Sequence, residues 1–372
     1  HLDGLRIAEL HGVDLAAENI DQGEVFAAAA STLVLHESGE SEHREIILET
    51  LQAGDGAVVE GIRLGLRQCD PEPYREVLDR LLGSGNPARV GAAADVLAFH
   101  RLPVDNLRDL LSSGDPGLRT RAASASGRLG ERLPREIARA VEAPEPDVRR
   151  AALEAACRLG VPGLLRHCRA AAGRETDPDP EAAAFLGVLG DPADLDLLVR
   201  LLERSDTAPA AIEALGALGA VAGIRPLLDL LEDGELGGLA LAAYRRITGA
   251  PDPGQAPPTP TAEEKAASQE GPRGNEVAEE ITENDQDSGE RTVDTQAVRE
   301  DWRRRERQMD AGTSWQGGIP VATETFPPTG GSLSLQARRD LYLRLRARHG
   351  NAVPDVELEA PVPRQLAMAS GG

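Results

Sequence analysis

Apolar residues recur along most of this chain at three- to four-residue spacing, the period of one helix face, in two alternating kinds of run. One kind is rich in alanine: RAASASGRLG (121–130), RAALEAACRLG (150–160), PEAAAFLGVLG (180–190), AIEALGALG (211–219) and LALAAYRRITG (239–249). The other is rich in leucine: NLRDLLSS, REIARAVEA, GLLRHCRAA, DLDLLVRLLER and IRPLLDLLED. The alternation predicts helical pairs. Each alanine-rich run closes on a glycine, Gly130, Gly160, Gly190, Gly219 or Gly249, and these are spaced 30, 30, 29 and 30 residues apart. A fixed period in this range marks a solenoid, and stacked repeats offer long concave surfaces suited to binding. The expected fold is all-α, an α-solenoid (α-α superhelix) of about seven pairs.

Helix starts and stops are legible. Asn86-Pro87, Asp115-Pro116, Glu145-Pro146 and Asp179-Pro180 each put an N-cap side chain before a proline tolerated at the first helical position. Pro103, Pro134, Pro162 and Pro192 introduce the second helices. The five glycines are expected as left-handed C-terminal caps, so Gly160→Val should cost roughly 1 kcal/mol or more. Upstream, 23–37 with 44–54 and 57–68 with 74–85 read as two less regular pairs.

These patterns divide the chain into an irregular helical region at 1–83 and a regular repeat region at 84–249. An acidic linker follows at 250–298, then a small basic helical module at 299–352 and a tail at 353–372. The start, HLDGLRIAEL, lacks a methionine and reads as a fragment opening within a helix. Residues 251–300 carry 13 acids against 4 basic residues and no aromatic. Such a segment buries too little apolar area to offset its ordering entropy, so disorder is expected there; the residues from about Pro354 read as extended or disordered. Within the module, 299–312 and 333–351 read as basic helices around a turn at 313–320. The module holds Trp302, Trp315, Phe326 and Tyr342 of the 9 aromatic residues.

Composition narrows function more than fold. A formal net charge of −22 argues against nucleic-acid or anionic-membrane partners. Of the 40 basic residues only Lys265 is lysine. With so few aromatics, Ala, Leu and Val must fill the interior, which suits close helix packing. Cys69, Cys157 and Cys168 form no disulfide framework, which indicates a reducing compartment and a cytoplasmic location. No apolar run reaches transmembrane length.

Candidate chemistry is sparse. Cys157, His167 and Cys168 share one repeat but lack CxxC or HxxxH spacing, so buried thiols and a surface histidine are favoured over zinc. His36-Glu37 and His43 lack the HExxH spacing and are expected in an interhelical loop. No GxSxG, P-loop or dinucleotide fingerprint stands in a credible context. No enzyme activity, metal or cofactor is therefore expected.

The helical pairs of 84–249, with glycines and prolines in register, resemble HEAT-like repeats of the bilin-lyase type. HLDGLRIAEL, together with Trp302, Gly312, Trp315, Gly318 and Pro320 followed by a helix over Arg338–Arg348, resembles an uncharacterised bacterial HEAT-repeat family. Members of that family are often encoded beside type VI secretion genes for spike, tip and effector proteins. The resemblance implies an accessory scaffold or adaptor with protein partners and brings no catalytic residue. A HEAT-like lyase or cofactor-attachment factor is the alternative, and a glycosylase-like nucleic-acid binder fits the charge poorly. In HEAT-like solenoids second helices line the concave face. Arg108, Arg139, Arg169 and Arg200 recur on them and could hold an acidic peptide through bidentate contacts. They could equally pair with neighbouring acids such as Asp109, Glu136 and Glu203. The acidic linker is a candidate intramolecular cover for that stripe. Trp302 and Trp315 are either partner anchors or the core of a small module.

Overall fold

The alanine-rich runs become the long helices and the leucine-rich runs the short ones. The computed structural model describes residues 10–131, 133–251, 293–321, 333–360, 364, 365 and 368. It is predominantly α-helical, with a single two-stranded hairpin among these residues. The chain divides into two compact units, His1–Leu189 with Thr323–Gly372, and Gly190–Ala322.

In the first unit the long helices are α2 (Val25–Glu37), α4 (Gly56–Leu66), α6 (Pro87–Phe99), α8 (Pro116–Leu129), α10 (Pro146–Arg158) and α12 (Pro180–Leu189). Each packs beside the next, forming one layer. The other helices are α1 (Leu10–Asn19), α3 (Ser41–Ala53), α5 (Arg75–Leu82), α7 (Leu107–Leu111), α9 (Pro134–Ala140) and α11 (Leu164–Ala172). Of these, α3, α5, α7, α9 and α11 each pack against the long helix that follows. Small residues let the layer close up: a Cβ on Gly127 of α8 would stand 2.8 Å from the Ala155 Cα of α10. One further helix, α18 (Leu335–His349), packs against α10 and α12.

The second unit holds α13 (Leu195–Leu201), α14 (Ala208–Leu218), α15 (Ile224–Asp229), α16 (Gly237–Thr248) and α17 (Thr295–Arg305), with strands β1 (Trp315–Gln316) and β2 (Ile319–Pro320). The strands pair antiparallel about Gly317 and Gly318, both with positive φ, the backbone a tight hairpin needs.

The predicted starts hold in detail, with one exception. Asn86 accepts from the Ala88 and Arg89 N–H groups, Asp115 from Leu118, and Asp179 from Glu181 and Ala182. Glu145 makes no cap bond; its longer side chain instead reaches Arg119 Nη2 at 2.5 Å. Gly130, Gly160, Gly219 and Gly249 are left-handed as expected. Gly190 is not among the positive-φ glycines and follows α12 without that conformation. At the corresponding place after α6 stands a non-glycine, Arg101, with φ 61°. The bond Leu102 N–H to Leu97 O closes its turn as Val161 N–H to Ala156 O closes that of Gly160.

These caps are not equivalent in cost. A Cβ on Gly130 has open space, so Gly130→Ala should lose only the left-handed penalty, about 1 kcal/mol. A Cβ on Gly219 would meet the backbone of Trp315 and stand 3.0 Å from Gln316 Nε2. Gly219→Ala should therefore lose a further 1–3 kcal/mol or so through overpacking. Paired thermal melts of the two variants check the difference.

Three expectations are corrected. The 299–352 module is not one body: α17 and the hairpin belong to the second unit and α18 to the first. Residues 353–360 are not a disordered tail, because Val353, Val356, Glu357, Leu358 and Ala360 are buried. His36 and His43 are not in a loop: His36 closes α2, with Nδ1 2.9 Å from Tyr74 Oη, and His43 sits in α3. Of the expected linker, 252–292 lies outside the described residues, as does Phe326, and its end is already helix from Thr295.

Candidate functional site

Every α-helix leaves its last carbonyls without intrahelical partners, and its C-terminal end favours cations. In both units this chain meets that need with arginine and glutamine side chains, several of them from its own C-terminal third. Arg346 donates from Nε and Nη2 to Arg158 O at the end of α10, at 3.0 and 2.7 Å. Arg344 donates to Val188 O and Gly187 O of α12, at 2.6 and 3.2 Å. Arg364 donates to Phe99 O of α6 at 3.1 Å. In the second unit the buried Gln316 amide donates to Gly216 O and Ala217 O of α14, and Gly317 and Gly318 N–H groups donate to Arg246 O and Ile247 O of α16.

In the first unit these helix ends enclose a buried ionic cluster. Asp95, 1 % exposed in the middle of α6, receives Arg63 Nη1, Arg67 Nε at 2.9 Å and Arg128 Nη1 at 2.6 Å. Burial would raise its pKa, but Arg128, Arg67 and Arg63 outweigh that and hold the carboxyl well below the usual carboxylate range. Arg63 also binds Glu60, and Glu60 binds Arg121 at 2.7 Å. Three guanidiniums, of Arg67, Arg128 and Arg364, lie over the Phe99 ring at 4.9, 5.6 and 5.3 Å. His100 is fixed in one neutral tautomer: Nδ1 accepts from Arg364 Nη1 and Nε2–H donates to Leu66 O, each at 2.9 Å.

The helices alone bring more buried arginine than acid to this cluster. The balance comes from residues 355–359, Asp-Val-Glu-Leu-Glu, laid across it. Asp355 is 3.0 Å from Arg101 Nη2, and accepts from Tyr342 Oη at 2.7 Å. Glu357, 1 % exposed, accepts from Arg128 Nε at 2.9 Å and lies 3.7 Å from Arg158 Nη1. Glu359 meets Arg67 Nη1 at 2.8 Å. Burial pushes the Glu357 carboxyl up, but Arg158, Arg128 and Arg101 bring it down to about 2. Arg158 in turn stacks 5.4 Å from the Tyr342 ring centroid of α18.

The predicted site residues fall elsewhere. Arg108 is exposed on α7 and pairs with Glu136 at 3.3 Å, one of the acids expected to quench it. Arg139 is exposed on α9 and Arg169 half-buried on α11. Arg200 lies in the second unit, exposed on α13. None of the four contributes to the cluster, because the guanidiniums that matter stand at the ends of the long helices. Trp302 is buried on α17, which packs against α15. Trp315 uses its backbone N–H on Gly219 O and its indole N–H on Asp310 O. Both tryptophans lie in the second unit, Trp302 in its core and Trp315 half-buried.

Cys69, Cys157 and Cys168 are buried free thiols. Burial pushes Cys69 and Cys168 up to about 12 and raises Cys157 as well. Since the thiolate is the reactive form, the native chain should leave all three unlabelled by a thiol reagent that modifies them fully in urea; mass spectrometry of the adducts reads this. Among the described residues no group of His, Cys, Asp and Glu is placed to hold a metal ion, and no helix is long and apolar enough to cross a membrane. A cavity of ≈ 390 Å³ near the starts of α4, α6 and α8 is lined by Glu60 and Arg121, already paired with each other, and by no aromatic side chain.

Sequence reasoning missed the cluster, though signals existed. Arg128 and Arg158 each stand two residues before a recurrent glycine, inside otherwise alanine-rich phrases. Asp95 interrupts an apolar run, and Asp355, Glu357 and Glu359 alternate with apolar residues. No family model matches this chain, and no curated protein matches it.

Proposed function

We propose that this chain is a non-enzymatic protein-binding scaffold or adaptor, built as a solenoid of HEAT-like helical pairs and working in the cytoplasm. The observation that carries this reading is the cis complex of the first unit. An irregular peptide stretch, 353–360, is held against helix ends mainly by side chains, the way a scaffold holds a peptide ligand. Layered long helices with tight glycine and alanine contacts support the repeat architecture, and the notable buried polar groups bind chain rather than frame a reaction centre. By the resemblance of its repeats and of Trp302 to Pro320, its setting is type VI secretion or effector loading, with a spike, tip or effector protein as partner.

The test is affinity capture from a lysate of the native host with the full chain, partners being identified by mass spectrometry. The full chain is required, because ending at residue 250 would remove the segments that close both units. Recovery of spike, tip or effector proteins is the expected result. Recovery of a pigment or other small molecule without a protein partner would replace this reading with that of a lyase or cofactor-attachment factor.

A further inference from the structure

The segment 355–359 is bound by repeated pairing of its carboxylates with arginines. Its three carboxylates occupy alternate positions. They face Arg101, Arg128, Arg158 and Arg67, while Val356, Leu358 and Ala360 are buried between them. The backbone turns at 358–359, where the Ala360 N–H reaches Glu357 O at 3.1 Å, so acids at alternate positions about one turn, with aliphatics buried between them, are the pattern such a groove selects.

Two independent features mark the groove as more than packing. First, the occupant leaves donors over. Arg101 Nη2 and Arg158 Nη1 are buried and make no hydrogen bond, although carboxylates of the segment lie 3.0 and 3.7 Å away respectively. Buried donors without a bond are costly, so a peptide that offers better-directed oxygens would gain at each position. Second, Arg101 holds a left-handed backbone where the equivalent turns after α8 and α10 carry glycine. Such strain is kept where the surroundings or the function require the side chain, and this one reaches Asp355 and the carbonyl of Arg128. The occupant can also leave without dismantling a helix. Among the described residues it is joined by no β ladder, and its backbone bonds are Val353 O to Arg346, Glu359 O to Gln68, Leu358 O and Ala360 O to Gln365, Glu357 N–H to Met368 Sδ, and two local turns.

We infer that the groove floored by Arg67, Arg101, Arg128 and Arg158 is the partner-binding site, and that it recognises an acidic peptide of a partner protein with carboxylates at alternate positions about a turn like that of residues 357–360. Residues 355–359 occupy it in cis as a tethered competitor. The inference rests on the scaffold reading and supplies its partner chemistry. Tethering raises the effective concentration of the cis segment, so a partner binds with an apparent affinity reduced by the fraction of time the groove is closed.

The test uses a fluorescein-labelled peptide of sequence VPDVELEA, its acid-free counterpart with Asn and Gln, and the full chain read by fluorescence anisotropy. Glu359→Gln weakens the tether at its half-exposed end and leaves the buried pairs intact. It should raise peptide affinity roughly threefold, the scale of one exposed ion pair. Glu357→Gln frees Arg128 and Arg158 and, where circular dichroism shows it folded, should raise affinity by about tenfold or more. Adding Arg101→Gly, which relieves the strained turn and so folds readily, should cancel most of the Glu359→Gln gain. The acid-free peptide should bind none of the chains. The inference is overturned by equal binding of both peptides, by no binding to the folded Glu359→Gln chain at millimolar peptide, or by a Glu359→Gln chain that dimerises and takes no peptide. If host partners are captured undiminished by the chain carrying both Glu359→Gln and Arg101→Gly, the scaffold reading stands and the groove is not its site. If no partner is captured by any chain, the scaffold reading itself fails.

Discussion

Replacing Asp95 with alanine should cost the first unit about 3–5 kcal/mol, a large share of the roughly 5–15 kcal/mol that holds a typical domain folded. Asp95 is buried in the middle of α6 and is shared by the guanidiniums of Arg63, Arg67 and Arg128. Forming a buried ion pair gives little net stability, because desolvation offsets the attraction. Removing one partner is different, since the remaining charges stay buried without compensation. Here one deletion leaves three arginines short of acid in a region where acid is already the minority. Asp95→Asn keeps the shape and some acceptor capacity, so it should lose less. Urea melts followed by far-ultraviolet circular dichroism measure both, urea being chosen because it does not screen charge. A loss below about 1 kcal/mol for Asp95→Ala, the scale of an exposed pair, would mean that the cluster contributes no more than a surface bridge.

Glu357→Gln should be the second most damaging change, and the same carboxylate should give the fold an acid limit. Its folded pKa lies near 2 against an ordinary 4.5. A depressed carboxylate adds stability that is complete above the unfolded value and is lost as pH falls through the folded one. The window therefore runs from about pH 4.5 down to about pH 2, and the amount is roughly 3 kcal/mol from that difference. Asp95 shifts in the same direction and reinforces the slope. Melting temperature measured across this window should fall steeply for the native chain. It should fall more gently for Glu357→Gln, which has already lost that carboxylate. Parallel slopes for the two chains would show that Glu357 is not the group that titrates.

The helical content and the alternation of long and short helices were largely legible because they rest on local rules. Asn86, Asp115 and Asp179 capped as their types dictate, and Gly130, Gly160, Gly219 and Gly249 turned left-handed as their position requires. Gly160, with φ 61°, keeps the expectation for Gly160→Val in place. The failures were of another kind. The residues from Pro354 were expected to be extended or disordered because no helical period runs through them, and period does not reveal that Arg101, Arg128 and Arg158 meet their acids. Helix α18 was read only as basic, and its composition does not show that Arg344 and Arg346 are buried and spent on carbonyls more than 150 residues away in sequence. The arginine register was sought on the short helices, where exposed side chains pair weakly. The register that binds carboxylates stands at the ends of the long ones. Pairings across such separations cannot be read from period or propensity, which act within a few turns.

The central claim is that the C-terminal segment is held by ion pairing between the arginines at the helix ends and its own acids. A double-mutant cycle on Arg128→Met and Glu357→Gln tests it most directly, with unfolding free energies from urea melts of the wild-type, single and double variants. The pair should show a coupling energy above about 1.5 kcal/mol, as desolvated charge pairs in contact do. A coupling near zero, with each single loss simply adding, would contradict the claim and leave residues 353–360 as packing alone.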